Sequence, residues 1–243
     1  FGTFDVELTV PKALVIAATG VLISPQEEIE WMAELAREGA VLDSLRAADS
    51  SSARKEIKKI LQLDNRIKSE QVKTVRYIAE KVHDFVWCAD RTFILKRGQY
   101  QDTEINIYVL PKHEAGWKDA IQFVQNTLRL YGEWFMPFPY PQQSVVDGDM
   151  SAGGGMEYPM ICFNGPRPEK DGTYAERTKY GLISVVIHEV GHNYFPMIVN
   201  SDERLTSPLV RRDGELVPVG WDEALDLVAG RLTKLKEQNG GRT

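Results

Sequence analysis

Cysteine is nearly missing from this chain. Cys88 and Cys162 are the two thiols in 243 residues, which excludes a cysteine-built zinc site, an iron–sulfur cluster and a disulfide scaffold. The pair could form one disulfide; two semi-buried thiols are the reading adopted. Long apolar runs are also lacking. The longest, Ala13 to Ala18, is strand-sized and far short of the ~20 residues that cross a bilayer, so no membrane span is expected. Nor is there an excess of positive charge: 29 Lys and Arg against 35 Asp and Glu leave a net charge of −6. No basic field exists to hold nucleic acid. Internal repeats and low-complexity tracts are absent. The chain opens on Phe1 inside a strand pattern, with no charged or apolar leader before it. An internal piece of something longer is expected, and the missing signal peptide says nothing of compartment.

What is present is the composition of a globular domain with a core, 43% hydrophobic and 26% charged. Phe4, Val6, Leu8 and Val10 alternate with Asp5, Glu7 and Thr9, which predicts a half-buried strand. Leu14 to Ala18 reads as its partner across a turn at Val10-Pro11-Lys12. Ser24-Pro25-Gln26-Glu27 has the form of a capping box, predicting a helix to about Arg37 that ends at Gly39. The charged, serine-rich residues that follow predict helices at 53–63 and 69–81, with solvated faces. A hairpin at 92–96 and 104–110 and a long amphipathic helix over 114–134 come next. Pro137, Pro139 and Pro141 then force a loop before a strand at 144–146.

Two motifs carry chemistry. In His188-Glu189-Val190-Gly191-His192, residues i and i+4 share one helix face, so His188 and His192 can aim two imidazoles at one ion. Neutral imidazole suits zinc. Glu189 lies about 100° round the helix, beside the ion, where it can take a proton from water on the metal. The apolar run Leu182–Ile187 predicts that this helix is buried, where such polar residues are costly without a purpose. The other histidines, His83 and His113, sit beside Asp84 and Glu114 and read as structural or surface groups. The second motif, Ser151-Ala152-Gly153-Gly154-Gly155-Met156-Glu157-Tyr158, lets backbone approach a ligand and puts the Glu157 carboxylate at the opening.

Together, Gly154-Gly155-Met156-Glu157-Tyr158 and the later His188-Glu189-x-x-His192 resemble the membrane alanyl aminopeptidase family of zinc metallopeptidases. Tyr158 stands where the common pattern has asparagine. The resemblance implies an α+β chain: residues 1–22 as the end of an N-terminal β-domain, 23–72 as a helical connector, and 73–204 as the front of a truncated thermolysin-like catalytic domain. It implies zinc held by His188 and His192, Glu189 as general base, and Glu157 as acceptor of the free amine of a peptide substrate. It also implies an exported or periplasmic parent, leaving this chain's own compartment open. The family's third ligand, a glutamate after a gap of eighteen residues, falls at Arg211, which cannot ligate a metal. Glu203 and Glu215 are off the spacing. The expectation is therefore a fragment of a zinc aminopeptidase, inactive as it stands. The alternatives are a non-catalytic remnant that binds peptides, or a zinc endopeptidase of the same fold.

Residues 205–243 have another character. Leu205 to Gly214, then Leu216 to Leu225, are similar to a segment of the molybdopterin oxidoreductases. The residues themselves predict a strand near 215–219 and an amphipathic helix using Trp221, Leu225, Val228, Leu232 and Leu235. Without a cysteine cluster, so short a stretch cannot make a cofactor site, and no molybdenum chemistry is expected of this chain. Two unrelated likenesses that meet near Arg204 suggest a spliced reading frame.

Overall fold

The computed structural model describes residues 1–61, 71–148, 154–165, 175–195, 197, 207–212 and 215–239. Strands β1 (Gly2–Pro11), β2 (Val15–Ala18) and β3 (Val21–Ser24) precede helices α1 (Gln26–Ala48) and α2 (Ser51–Leu61). Strands β4 (Val72–Val82), β5 (Trp87–Asp90), β6 (Ile94–Tyr100) and β7 (Thr103–Val109) lead to helix α3 (Ala120–Trp134). Then come β8 (Gln142–Asp147), β9 (Gly155–Tyr158), β10 (Ile161–Asn164) and helix α4 (Glu176–Gly191). The chain divides into two compact units, residues 1–198 and 199–243.

In the first unit β1 alternates as its sequence predicts, but its partner is β4, paired antiparallel from Pro11↔Val72 to Gly2↔Val82. β3 pairs on the other side of β4. The helix predicted over 69–81 is therefore corrected to a strand from Val72 onward, with residues 62–70 outside the described part. Val75, Tyr77 and Ala79 are buried at a period of two, and the register shifts before Val82, which is buried as well. β2 is buried at all four positions and pairs antiparallel with β5 instead of β1.

The second sheet has the order β6-β7-β8-β10-β9. One face carries Ile105, Ile107, Val109, Val145 and Cys162 against α3 and α4. The other carries Leu95, Tyr108, Val146 and Ile161 against β2 and the first half of α1. Both cysteines are free thiols, and burial pushes the Cys88 thiol up to about 12.

α1 runs past Gly39, contrary to expectation, because a glycine is needed inside it: a Cβ at Gly39 would lie 2.1 Å from the Leu95 carbonyl oxygen. The capping box does not form either. Ser24 is the last residue of β3, and Pro25 caps α1 without a side-chain bond. The long helix expected over 114–134 is a single 3-10 turn, Glu114–Trp117, followed by α3.

A buried ion network ties these parts together. Lys96 Nζ, 1% exposed, lies 2.8 Å from Glu114 Oε1 and 2.5 Å from Asp43 Oδ1. Arg46 Nε donates to Glu114 Oε2 at 2.6 Å. Burial alone would raise the Glu114 carboxyl, but Arg46 and Lys96 outweigh it and hold the group below its ordinary value. His113, taken above as structural or surface, is buried with Nδ1 2.5 Å from Asp147 Oδ2.

Removing one member of such a network strands the others in low dielectric. Lys96→Met is predicted to cost about 3–5 kcal/mol in urea denaturation. Because Glu114 is depressed when folded, its contribution is complete above the ordinary carboxylate range and disappears as pH falls through the depressed value. Glu114→Gln should lack that part of the acid slope. Identical slopes in wild type and variant would refute this role.

Candidate metal centre

Helix α4 ends on the histidine motif because its apolar residues Leu182, Val186 and Val190 are buried against the sheet, leaving the other faces for polar groups. His188 Nε2 and His192 Nε2 lie 3.1 Å apart, their rings nearly perpendicular. Two nitrogens bound tetrahedrally to one transition-metal ion stand roughly 3.3 Å apart, so the pair fits an ion without repacking. His192 Nδ1 lies 3.1 Å from the Phe195 carbonyl. With Nδ1 as the donor, that bond orients the ring and leaves the Nε2 lone pair for a ligand. Ligand atoms of His188, Glu189 and His192 all fall within 4.8 Å of one another.

Glu189 is buried, and its Oε2 has no hydrogen-bond partner. Burial, followed by the opposing pull of His188 and the push of Glu157, leaves its carboxyl above the ordinary value. A buried orphan oxygen on an acid beside two imidazoles is poised to accept or hold a proton. The glycine-rich motif reaches this point through strand pairing. β9 is the edge strand, antiparallel to β10, with Cys162↔Glu157 in register. That places Glu157 Oε1 3.9 Å from His192 Nε2. The structure thus brings together all four residues singled out in the sequence: Glu157, His188, Glu189 and His192. Residues 151–153 of the motif lie outside the described part, as does Glu203, and nothing is described of the Arg211 side chain.

Three residues that sequence reasoning missed hold the site in place. A Cβ on Gly155 would lie 2.5 Å from Glu189 Oε1, so this glycine makes the room the carboxylate occupies. The signal was its place in a glycine run, read there only as backbone freedom. Asn193, fully buried, accepts from the Met160 amide at 2.9 Å and joins the end of α4 to the β9–β10 turn. Tyr131 on α3 donates to the Ile187 carbonyl at 3.3 Å and packs where a Cβ on Gly191 would come within 2.8 Å.

The second unit consists of β11 (Leu209–Arg212), β12 (Glu215–Pro218) and helix α5 (Trp221–Asn239). The strands form an antiparallel hairpin, and Arg212 pairs with Glu223. This agrees with the strand and helix expected there. Its apolar side chains are open: Leu216 is 55%, Trp221 67%, Leu225 59% and Val228 56% exposed.

Comparison with known proteins finds likeness in this second unit. The family model of molybdopterin oxidoreductases matches residues 204–243. "Putative formate dehydrogenase YrhE" of Bacillus subtilis (strain 168) is 60% identical over 42 residues, which is 17% of this chain and 4% of that protein. SAR2393 of Staphylococcus aureus (strain MRSA252), described in the same words, is 55% identical over 42 residues, again 17% and 4%. SH0748 of Staphylococcus haemolyticus (strain JCSC1435), likewise so described, is 54% identical over 43 residues, 18% of this chain and 4% of its own length.

These matches correct the main sequence expectation. They point to a molybdenum-enzyme segment and not to a zinc aminopeptidase, and the cofactor of the matched family is molybdopterin, not zinc. The likeness treated above as secondary is the one the comparisons carry. The described residues of the segment do not by themselves make a pterin site. Its apolar groups face outward, and no cysteine lies in 204–243 to offer a thiolate.

The glycines here separate two effects. Gly155→Ala is predicted to cost about 1–3 kcal/mol by driving Glu189 from its place. Gly181→Ala, where a Cβ in α4 meets nothing, should stabilise by up to about 1 kcal/mol. Paired denaturation curves check both signs, and equal effects would refute the packing account.

Proposed function

We propose that residues 204–243 serve as a structural segment of a molybdopterin oxidoreductase of the formate dehydrogenase kind. The observation that carries this reading is the 60% identity over 42 residues, joined to the family match. The stretch is 4% of that relative, so the rest of a much longer chain is there to cover it. Trp221, Leu225 and Val228 recur at i, i+4 and i+7, one apolar stripe of α5. A stripe this exposed is what an interface looks like before its partner is added. The segment's own contribution is packing, and the pterin would be enclosed by the body it joins.

A chimera tests this. Residues 204–243 replace the matching stretch of the B. subtilis relative, and the product is assayed for molybdenum and pterin content. Content close to the parent's is expected, with loss when Trp221 and Leu225 are both changed to Ser. A chimera that folds without molybdenum would overturn the assignment.

A second reading concerns the first unit and is favoured by the 3.1 Å imidazole pair. Here His188 and His192 hold a divalent transition-metal ion. The ion would supply electrophilic polarisation, and Glu189 would exchange a proton at its orphan Oε2. Glu157 would present its carboxylate to a cationic group of a ligand. Cobalt(II) titration of the full chain should give one equivalent with visible absorption, lost in both His188→Ala and His192→Ala. Unchanged binding in either variant would rule the centre out.

A further inference from the structure

A cavity of about 340 Å³ opens on the sheet face that carries Tyr108, between that face, β4 and the start of α1. It lies within the first unit and is independent of the histidine motif. Tyr77 and Tyr108 line it, each 5% exposed. Among the described residues neither phenol hydroxyl has a hydrogen-bond partner. Both hydroxyl oxygens open onto the cavity, where they can donate to an occupant. Burial is the main cause holding both phenols well above their ordinary range, so both remain O–H donors at any physiological pH.

The other polar groups of the wall are largely spent on each other. Gln142 Nε2 donates to the Gly20 carbonyl at 3.0 Å, and its Oε1 accepts from Ser144 Oγ at 2.8 Å. Asn106 Nδ2 donates to Glu104 Oε1 at 2.9 Å. Arg97 Nε donates to Asn106 Oδ1 at 2.9 Å and lies 3.4 Å from Glu104 Oε2. Both Glu104 oxygens are thus engaged, while the Nη edge of Arg97 has no hydrogen-bond acceptor among the described residues. What remains is a surplus of donors: two phenols and half a guanidinium. The opposite wall is apolar, with Leu22, Ile29 and Met32.

We propose that this cavity binds a small monocarboxylate with a short hydrocarbon chain. Its two oxygens take the Tyr77 and Tyr108 hydroxyls and the Nη edge of Arg97. Its chain lies against Leu22, Ile29 and Met32. Glu104 already offsets much of the guanidinium charge, which favours a singly charged head over phosphate.

Calorimetric titration of the full chain with butanoate, hexanoate and octanoate tests this, with hexanamide, hexylamine and inorganic phosphate as the comparison arms. One carboxylate per chain is expected, with hexanamide at least about tenfold weaker. Tyr77→Phe and Tyr108→Phe should each weaken binding about threefold to tenfold. Neither should lower the unfolding midpoint of the free protein, since neither hydroxyl has a bond to lose. Arg97→Lys should weaken binding further, while His188→Ala should leave it unchanged. No binding of any acid at about 10 mM, equal binding of acid and amide, preference for phosphate, or full binding by both Phe variants would each overturn the proposal.

Discussion

The ammonium of Lys96 sits almost fully out of water, between Asp43 on α1 and Glu114 just before α3. Leaving water costs an ion several kcal/mol, so this lysine is tolerable only while both carboxylates stay in position. Arg46, one turn beyond Asp43 on α1, then holds the far oxygen of Glu114. The constraint fixes three things at once: the seat of α1 on β6, the entry to α3, and through α3 the support of α4. A second buried pair, Lys73 and Glu28 at 2.6 Å, makes the same demand at the other end of α1. The imidazoles of α4 inherit their position from this chain of supports.

Much of this was readable from pattern, and the misreadings have physical causes. The alternation of β1 and the i, i+4 histidines rest on local periodicity, and both were placed correctly. β4 was misread as a helix because Val75, Ile78, Ala79 and Val82 also satisfy helical spacing. Nine paired positions with β1 decide the matter, and no local window contains them. Gly39 was read as a helix stop. Its role is to admit the Leu95 carbonyl, a residue 56 positions away.

The site shows the same division. Its four residues were nameable, since their chemistry is written in their types and spacing. Their meeting depends on β9 folding back along β10 at the sheet edge, which only the strand register supplies. The supports Asn193 and Tyr131 act through contacts made after folding and leave no motif. The family reading erred in weight. The short stretch after Arg204 was taken as foreign and secondary, yet the matched family is the one that stretch resembles. The likeness that the comparisons carry is dense over 42 residues, whereas the aminopeptidase reading was spread over residues 1–204.

Helix α1 is 23 residues, or about 35 Å, of uninterrupted rod. It gives Met32 and Leu35 to the core on one face of the larger sheet and Leu42 to the core on the other. The two cores share one rod, so lifting it whole exposes both and breaks a buried ion pair at each end. Amide protons on the two faces should therefore share an opening in which α1 lifts as a whole.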